Sequence, residues 1–466
     1  VKKWCGINIG VEITRLITMK NYKKPTIFSL SSAPGKAGVS VFRISGPKAL
    51  KTAENLTKQT NFEPRRVRLK KIYNKNNELI DSCLLFFMQA PKSFTGEDCV
   101  ELHVHGSVAV IEKLTTELYG LGLRQAAAGE FTRRAFENGK IDLTEAEGLA
   151  DLIDAETEGQ HKQAIKQMDG ALRNLYEGWR QNLLNALAQI EGEIDFPDEE
   201  DVPNNLSHKA LPYLNLVLEG SEKVLKTAEI GEAIRHGLDI VIIGSPNTGK
   251  STILNGLSKR DVAIVTPTAG TTRDIISINM ILKGIPVRLS DTAGIRNTTN
   301  EIEAEGIDRA LKLSKKADIL IYVIDLNETG SSKNINDHIS DDDIVVYNKA
   351  DKYKKQTTLK SSISPNEIKI SALKDEDIDD LRLLLEKVIS KKYTIGSEPT
   401  LTRVRHRNCV SDMYLSIKRA IGCLSRSPEL AGDDIRSALH SLEELAGISD
   451  IESVFDLIFS RFCVGK

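Results

Sequence analysis

The stretch Gly244-Ser-Pro-Asn-Thr-Gly249-Lys250-Ser251 constrains this chain most. It follows the apolar run LDIVII and precedes STILNGLSK, so the glycines fall in a strand–loop–helix turn. Glycines let the backbone curl until its N–H groups and the following helix N-terminus face phosphate oxygens. In the GxxxxGK[ST] pattern the lysine reaches β/γ-phosphates and the hydroxyl ligates Mg²⁺, roles that fall here on Lys250 and Ser251. A fold built on this loop needs a parallel sheet. The runs LDIVIIG, VRLSDTAG, DILIYVIDL, DIVVYNKAD and EIKISAL, separated by helical segments, supply five apolar strands for one.

Three further stations follow in chain order. Asp291-Thr292-Ala293-Gly294 ends a strand: Asp291 can hold Mg²⁺ through water and the Gly294 N–H can sense a γ-phosphate. Asn348-Lys349-Ala-Asp351 ends another, and its carboxylate can accept from both N1–H and the 2-amino group of guanine. Adenine would leave that acceptor unpaired, which discriminates strongly. Ser371-Ala372-Leu373 can offer a backbone N–H to the guanine O6. GTP is the expected nucleotide. Ile295 follows DTAG where a water-orienting Gln often stands, so another group must position the water or a partner must trigger hydrolysis. Asn247, inside the loop, reads either as a ligand for a monovalent cation or as a loop-shaping residue.

The rest of the chain divides around this unit. Residues 25–140 alternate short β-type runs (TIFSL, VSVFRIS, SCLLFFMQ, CVELHVH) with turns, and predict a small α+β domain. Helical periodicity fills 141–236, opening on a capping box at Thr144-x-x-Glu147, and returns over 391–466 with a second box at Ser449-x-x-Glu452. Each helical block alone would leave an apolar face bare, so the 237–390 domain is expected to be inserted between two halves of one helical domain. The composition is ordinary for a globular protein, 40% hydrophobic and 27% charged, with a net charge of −2 that excludes a constitutively basic nucleic-acid binder. No apolar run approaches the ~20 residues of a membrane helix. Six scattered cysteines without a CxxC pair fit a reducing cytoplasmic setting. Residues 1–24 carry six basic side chains against Glu12 and read as an upstream extension or a disordered tail, outside the fold.

The switch Thr266-Pro-Thr268-Ala-Gly-Thr271-Thr272-Arg273-Asp274 together with SPNTGKS resembles the potassium-activated TRAFAC GTPases of the TrmE-Era-EngA type. Outside the GTPase, APGKAGVSVFRISG, SFTGEDCVELHVHG, AGEFTRRAFENGKIDLTEAEGLADLI, IDFPDEED and the terminal FCVGK resemble the MnmE (TrmE) family of tRNA-modification GTPases, from about residue 25 to 466. Ala128 and Thr268 depart from the usual Pro and Ile, and residues 1–24 have no counterpart. The resemblance implies a multidomain α/β, all-α and α+β protein: a Ras-like P-loop GTPase domain within a helical domain, preceded by a folate-binding, dimerising domain. It implies K⁺ on Asn247, Thr266, Thr268 and Thr271, and Mg²⁺ on Ser251 and Thr272. GTP would be held by Asn247, Thr248, Gly249, Lys250, Ser251, Thr252, Thr266, Thr271, Thr272 and the three stations above. Catalysis would rest on Lys250, Asn247 and Glu303, the last orienting the hydrolytic water. A 5-formyl- or methylene-tetrahydrofolate would lie on Arg43, Glu101, Lys140 and Lys466. The implied partners are a second copy, the FAD-dependent MnmG (GidA) in a heterotetramer or larger complex, and tRNA, modified at C5 of wobble uridine U34.

Other features stay open. Cys463 in FCVGK is a functional thiol or a buried small residue; His103 and His105 permit a metal pair but show no third ligand. Arg65, Arg66, Arg68, Lys70, Lys71 and Arg403, Arg405, His406, Arg407 are either solvated faces or tRNA-phosphate contacts. A ribosome-assembly switch of the Era/Der kind is the alternative, though it should carry a KH-like GXXG module and a basic tail, and neither is present. A stand-alone folate-dependent aminomethyltransferase would not need the complete GTPase domain.

Overall fold

The structure, a computed structural model, describes residues 24–195, 206–259, 276–291, 317–327, 339–352, 365–393, 399–448, 452–460, 462 and 465. They form two compact units, one of residues up to Glu147 with those from Ala446 onward, the other Gly148–Leu445.

In the first unit β1 (Ile27–Leu30), β2 (Ala37–Ser45), β3 (Arg68–Tyr73), β4 (Leu79–Met88), β5 (Cys99–Gly106) and β6 (Arg124–Gln125) make one sheet in the order β3-β4-β5-β2-β1-β6. Successive side chains alternate between its faces. Phe42, Ile44, Leu85, Phe87, Val100, Leu102 and Val104 turn inward, where α1 (Ala49–Thr57) and α2 (Val108–Gly120) cover them with Ala53, Leu56, Leu114 and Leu118. Each such buried side chain contributes about 1.5–3 kcal/mol. The other face carries Arg43, Glu101, His103, Leu84 and Phe86, in a register that pairs Arg43 and Phe86 with Glu101. β3 was not among the expected strands; its basic RLKKIY buries only Ile72. α3 (Glu130–Glu137) starts at Gly129 (φ +66°), where an added Cβ would lie 2.4 Å from the Phe459 carbonyl oxygen. Only glycine lets the C-terminal helix (Glu452–Ser460) approach so closely, and Phe136 then packs on Phe455 at 5.1 Å.

The helical region runs through α4 (Leu143–Asp154), α5 (Glu158–Met168), α6 (Ala171–Asp195), α7 (Leu211–Lys226) and α8 (Ala228–His236). The α4 cap differs from the expected Thr144–Glu147 box. It is Asp142 whose carboxylate accepts from the Glu145 N–H (2.8 Å), while Glu145 accepts from the Asp142 N–H (2.8 Å). The acid two residues upstream outcompetes the threonine, whose hydroxyl donates to Asp142 instead. A true capping box, Thr157 with Gln160, opens α5. Ser449 lies outside the described residues.

The second sheet has β7 (Leu238–Ile243), β8 (Ile276–Leu282), β9 (Ile285–Asp291), β10 (Ile319–Asp325), β11 (Ile344–Asn348) and β12 (Glu367–Lys369), with α9 (Lys250–Ser258) after β7 and α10 (Asp375–Lys392) after β12. Its order is β12-β11-β10-β7-β9-β8, parallel except for the β8–β9 hairpin. β8 is the unexpected edge strand. Its hairpin closes on Lys283 (φ 51°) and Gly284 (φ 81°), the left-handed pair that a two-residue turn needs. β7 continues into neighbours on opposite sides, β9 and β10, so the sheet has its switch point at the carboxyl end of β7. α11 (Val404–Cys423), after the sheet, packs on α7, before it, and α12 (Pro428–Ala446) follows. The α/β segment is therefore an insertion within one helical domain.

Candidate functional site

The loop between β7 and α9 lies at the sheet's switch point. Asn247 adopts a left-handed backbone (φ 61°), and Gly249 (φ +98°) leads directly into α9. A Cβ on Gly249 would stand 2.2 Å from the Asn348 side-chain nitrogen, so no other residue fits. Lys250 is buried, 6% exposed as a residue; its ammonium donates to the Gly244 and Ser245 carbonyls at 2.9 and 2.7 Å, and Thr248 donates to the Ser245 carbonyl at 2.9 Å. These bonds hold a cation at the mouth of a helix N-terminus, where both backbone N–H groups and the helix dipole favour an anion. The Ser251 hydroxyl donates to Asp291 across 2.6 Å; Thr252 is exposed on the next position. Two hard oxygen donors so close, beside the loop, fit Mg²⁺ chemistry.

Asn348 ties three loops together. Its amide donates to the Thr248 carbonyl (2.7 Å) and its oxygen accepts from the Ala372 N–H (2.9 Å), with the side chain buried. Lys349 is held in the left-handed region (φ 65°), a conformation costing about 1–2 kcal/mol for an L-residue. Its ammonium donates to Asp325 at 2.6 Å. Asp351 faces solvent and accepts from the Ser371 hydroxyl (2.7 Å), while the Ser371 N–H donates to Asp377 (2.6 Å). Leu373 beside it is largely exposed. The structure therefore gathers Asn247 to Ser251, Asp291, Asn348, Lys349, Asp351 and Ser371 to Leu373 at the carboxyl edge of one sheet. Thr266, Thr268, Thr271, Thr272, Thr292, Ala293, Gly294, Ile295 and Glu303 lie outside the described residues. Sequence reading passed over Asp325 and Asp377. Asp325 had a signal: it ends a strand, as Asp291 and Asn348 do. Burial alone would raise its carboxyl, but bonds from Lys349 and Asn327 outweigh that and hold it below the usual carboxylate range.

The first unit presents a second constellation. On the outer face of its sheet Arg43 donates from Nε to Glu101 at 2.8 Å, and its guanidinium stacks on Phe94 and Phe131 at 5.5 and 5.8 Å. His103 packs edge-on against Phe86 at 5.5 Å; its Nε2 is buried, lacks a hydrogen-bond partner, and sits 3.5 Å from Glu101. Phe86 and Phe94 line an open cleft of about 560 Å³ with Arg65, Met88, Lys92 and Lys140. Lys140 donates to the Pro91 carbonyl at 3.0 Å. The cleft's 93–98 wall is anchored from below: Glu97 accepts from Ser45 (2.7 Å) and from buried Arg134 (2.9 Å), and Asn138 donates to Thr95 (2.6 Å). Gly465 accepts from the Ser31 hydroxyl at 2.9 Å, which sets Gly465 against the β1–β2 loop. Lys466 and Cys463 lie outside the described residues.

Other candidates resolve structurally. His105 hydrogen-bonds Asp81 at 2.8 Å. Arg403 pairs with Asp151 (2.8 Å), Arg405 donates to the Glu444 and Leu445 carbonyls, Arg407 meets Glu232, and His406 is buried. Arg403, Arg405 and His406 are thus engaged within the helical region. Of the other cluster, Arg66 and Arg68 share Glu63, and Arg65 donates to Lys92.

A phosphate loop at a sheet switch point, with an Asn-Lys-x-Asp strand end stitched to it, defines a P-loop protein with a Ras-like GTPase domain. Comparison with known proteins narrows the class. The family model described as the GTP-binding protein TrmE N-terminus matches residues 26–140, and that of the MnmE helical domain matches 143–463. The tRNA modification GTPase MnmE of Maricaulis maris is 44% identical over 443 residues, covering 95% of this chain and 99% of that one. Its Rickettsia bellii namesake is 42% identical over 446 residues, covering 95% and 100%. A solved GTP-binding protein from Sulfolobus solfataricus in complex with GDP covers 46% of this chain and 67% of that one at 18% identity and a TM-score of 0.25, a likeness too slight to carry an argument. The chain belongs to the MnmE family of tRNA modification GTPases.

Proposed function

We propose that this chain is a potassium-activated GTPase that works with an FAD-dependent MnmG partner to modify C5 of the tRNA wobble uridine U34, using a folate-borne one-carbon unit. As an MnmE family member it is a GTP hydrolase, and tRNA is its expected substrate. The observation that carries the finer reading is the pairing of two separate sites in one chain: a guanine-nucleotide edge and the Arg43–Glu101 pair beside an aromatic-lined cleft.

At the nucleotide edge, Lys250 would exchange its loop carbonyls for β/γ-phosphate oxygens, and the N–H groups of Gly249 to Ser251 would face the same oxygens. Ser251, with Thr272 and Asp291, would hold Mg²⁺, which neutralises phosphate charge. Asn247, with Thr266, Thr268 and Thr271, would hold K⁺, and Glu303 would orient the water. Asp351 would read guanine while Ala372 offers its N–H to O6.

In the first unit, Glu101 would accept from the amino and ring N–H donors of a pterin. Arg43, Lys140 and Lys466 would offer cations to its carboxylate tail. The Phe86 and Phe94 rings that line the cleft suit a flat heteroaromatic ligand there. Leu69 and Leu84, paired across β3 and β4, leave an exposed apolar patch on the sheet's outer face, which supports a second copy as its cover. No helix among the described residues is long and apolar enough to cross a membrane, and a cytoplasmic setting fits the tRNA substrate.

Titrating the full chain with 5-formyl-tetrahydrofolate tests the folate reading. Wild type should bind, Glu101→Gln should bind at least tenfold more weakly, and both should hydrolyse GTP alike. A wild-type chain that binds no folate, or a variant that binds equally well, overturns it.

A further inference from the structure

The end of β10 carries no nucleotide-reading residue, yet it clamps the NKAD loop twice. The Leu326 N–H donates to the Asn348 carbonyl at 3.1 Å. One residue earlier, Asp325 binds the Lys349 ammonium through Oδ2 at 2.6 Å. Its other oxygen, Oδ1, accepts from both the backbone and the side-chain N–H of Asn327 at 3.0 Å each, so the carboxylate is itself immobilised. The pair is largely withdrawn from water, with side-chain exposures of 28% for Lys349 and 10% for Asp325.

A purely structural ion pair would not need its lysine in a left-handed backbone at the tip of the base-reading loop. Lysine at φ 65° is strained, and such strain persists only where the surroundings over-determine it. Asn348 below and Asp325 beside it do so. Lys349 thus stands in the loop between Asn348, which is locked to the phosphate loop, and Asp351, which faces solvent, with the far end of its side chain fixed at Asp325.

We propose that Asp325 is a positioning residue of the guanine site: by holding the Lys349 ammonium it preorganises the lysine stem as one wall of the base slot. This rests on the guanine reading of NKAD and adds to it the residue that sets one of its members. Preorganisation strengthens binding by removing the cost of ordering a flexible side chain on arrival of the ligand. The consequence falls on base affinity, for GDP and GTP alike, and not on the hydrolytic step.

The test measures fluorescent N-methylanthraniloyl-GDP binding to the full chain and to Asp325→Asn, Lys349→Met and the double variant. Asp325→Asn should weaken GDP about five- to twentyfold, the scale of one partly exposed charge-assisted hydrogen bond. In the Lys349→Met background the same change should alter binding less than twofold. Asp325→Asn should raise KM for GTP while kcat at saturation holds, and Asp325→Glu should recover part of the loss. Asp343→Asn is the folding control: Asp343 is also buried and accepts from the Leu320 and Ser340 N–H groups, away from NKAD. It should lower the melting temperature without that KM shift. Equal losses in both backgrounds, or a KM shift in Asp343→Asn as large, would overturn the proposal. A wild-type chain that failed to prefer GDP over ADP would refute the guanine reading itself.

Discussion

Asn348→Ala separates an organising knot from a mere contact. The side chain is 2% exposed and makes two good bonds, one from its amide to the Thr248 carbonyl and one to its oxygen from the Ala372 N–H. Alanine leaves a buried carbonyl on the phosphate loop and an N–H on the guanine-facing loop unpaired. Each such group costs about 1–3 kcal/mol, so the pair costs roughly 2–6 kcal/mol. The loss divides between folding and nucleotide affinity, because both loops are also ligand walls. At 1.4 kcal/mol per tenfold, an even split of a loss of about 4 kcal/mol weakens GDP affinity about 30-fold, with the remainder seen as a lower denaturation midpoint. Asn348→Asp is the sharper companion. It keeps the acceptor for Ala372 but sets a negative charge where an amide donated to a carbonyl at 2.7 Å, so it should do no better than alanine despite its shape. Equilibrium titration with labelled GDP and urea unfolding of the same preparations measure both parts. Wild-type affinity in Asn348→Ala would refute the reasoning, since the three loops would then be held by something else.

Two further outcomes follow from local electrostatics. Burial alone would raise Glu130, but bonds from Arg124, the Ala127 N–H and Arg134 outweigh it and hold the carboxyl below its ordinary 4.5. Its stabilising contribution is complete above that value and is lost as pH falls through the lower native one, so Glu130→Gln should flatten the acid limb of an unfolding-against-pH curve. Burial, with the nearby Asp81 charge, pushes the Cys83 thiol up to about 12. Iodoacetamide at pH 8 should leave Cys83 unmodified until the chain is unfolded, as mass mapping of the peptides will show.

The nucleotide edge was legible because each part is local. A glycine loop after an apolar strand, an acid at a strand end and an Asn-Lys-x-Asp tip keep their geometry in sequence order. What escaped was tertiary. β8 reads weakly, with its single antiparallel pairing to β9 at the sheet's edge. Asp325 and Lys349 are 24 residues apart and meet only because β10 and β11 lie side by side. The basic run at 403–407 read as a solvated face or a phosphate contact, and only packing revealed that Arg403 and Arg405 hold helices together. At α4 the error was one of competition, since Asp142 and Thr144 are both good caps and the choice depended on where the helix begins. Arg43 and Glu101 face each other through strand register, which spacing along the chain does not reveal.

GTP hydrolysis by the purified full chain, in KCl and in NaCl at equal ionic strength, tests the central claim most directly. The account predicts a rate many times higher in potassium, and an Asn247→Ala variant that is slow in both salts. Equal rates in the two salts would contradict it, and hydrolysis would then have to be triggered by a partner protein or by tRNA.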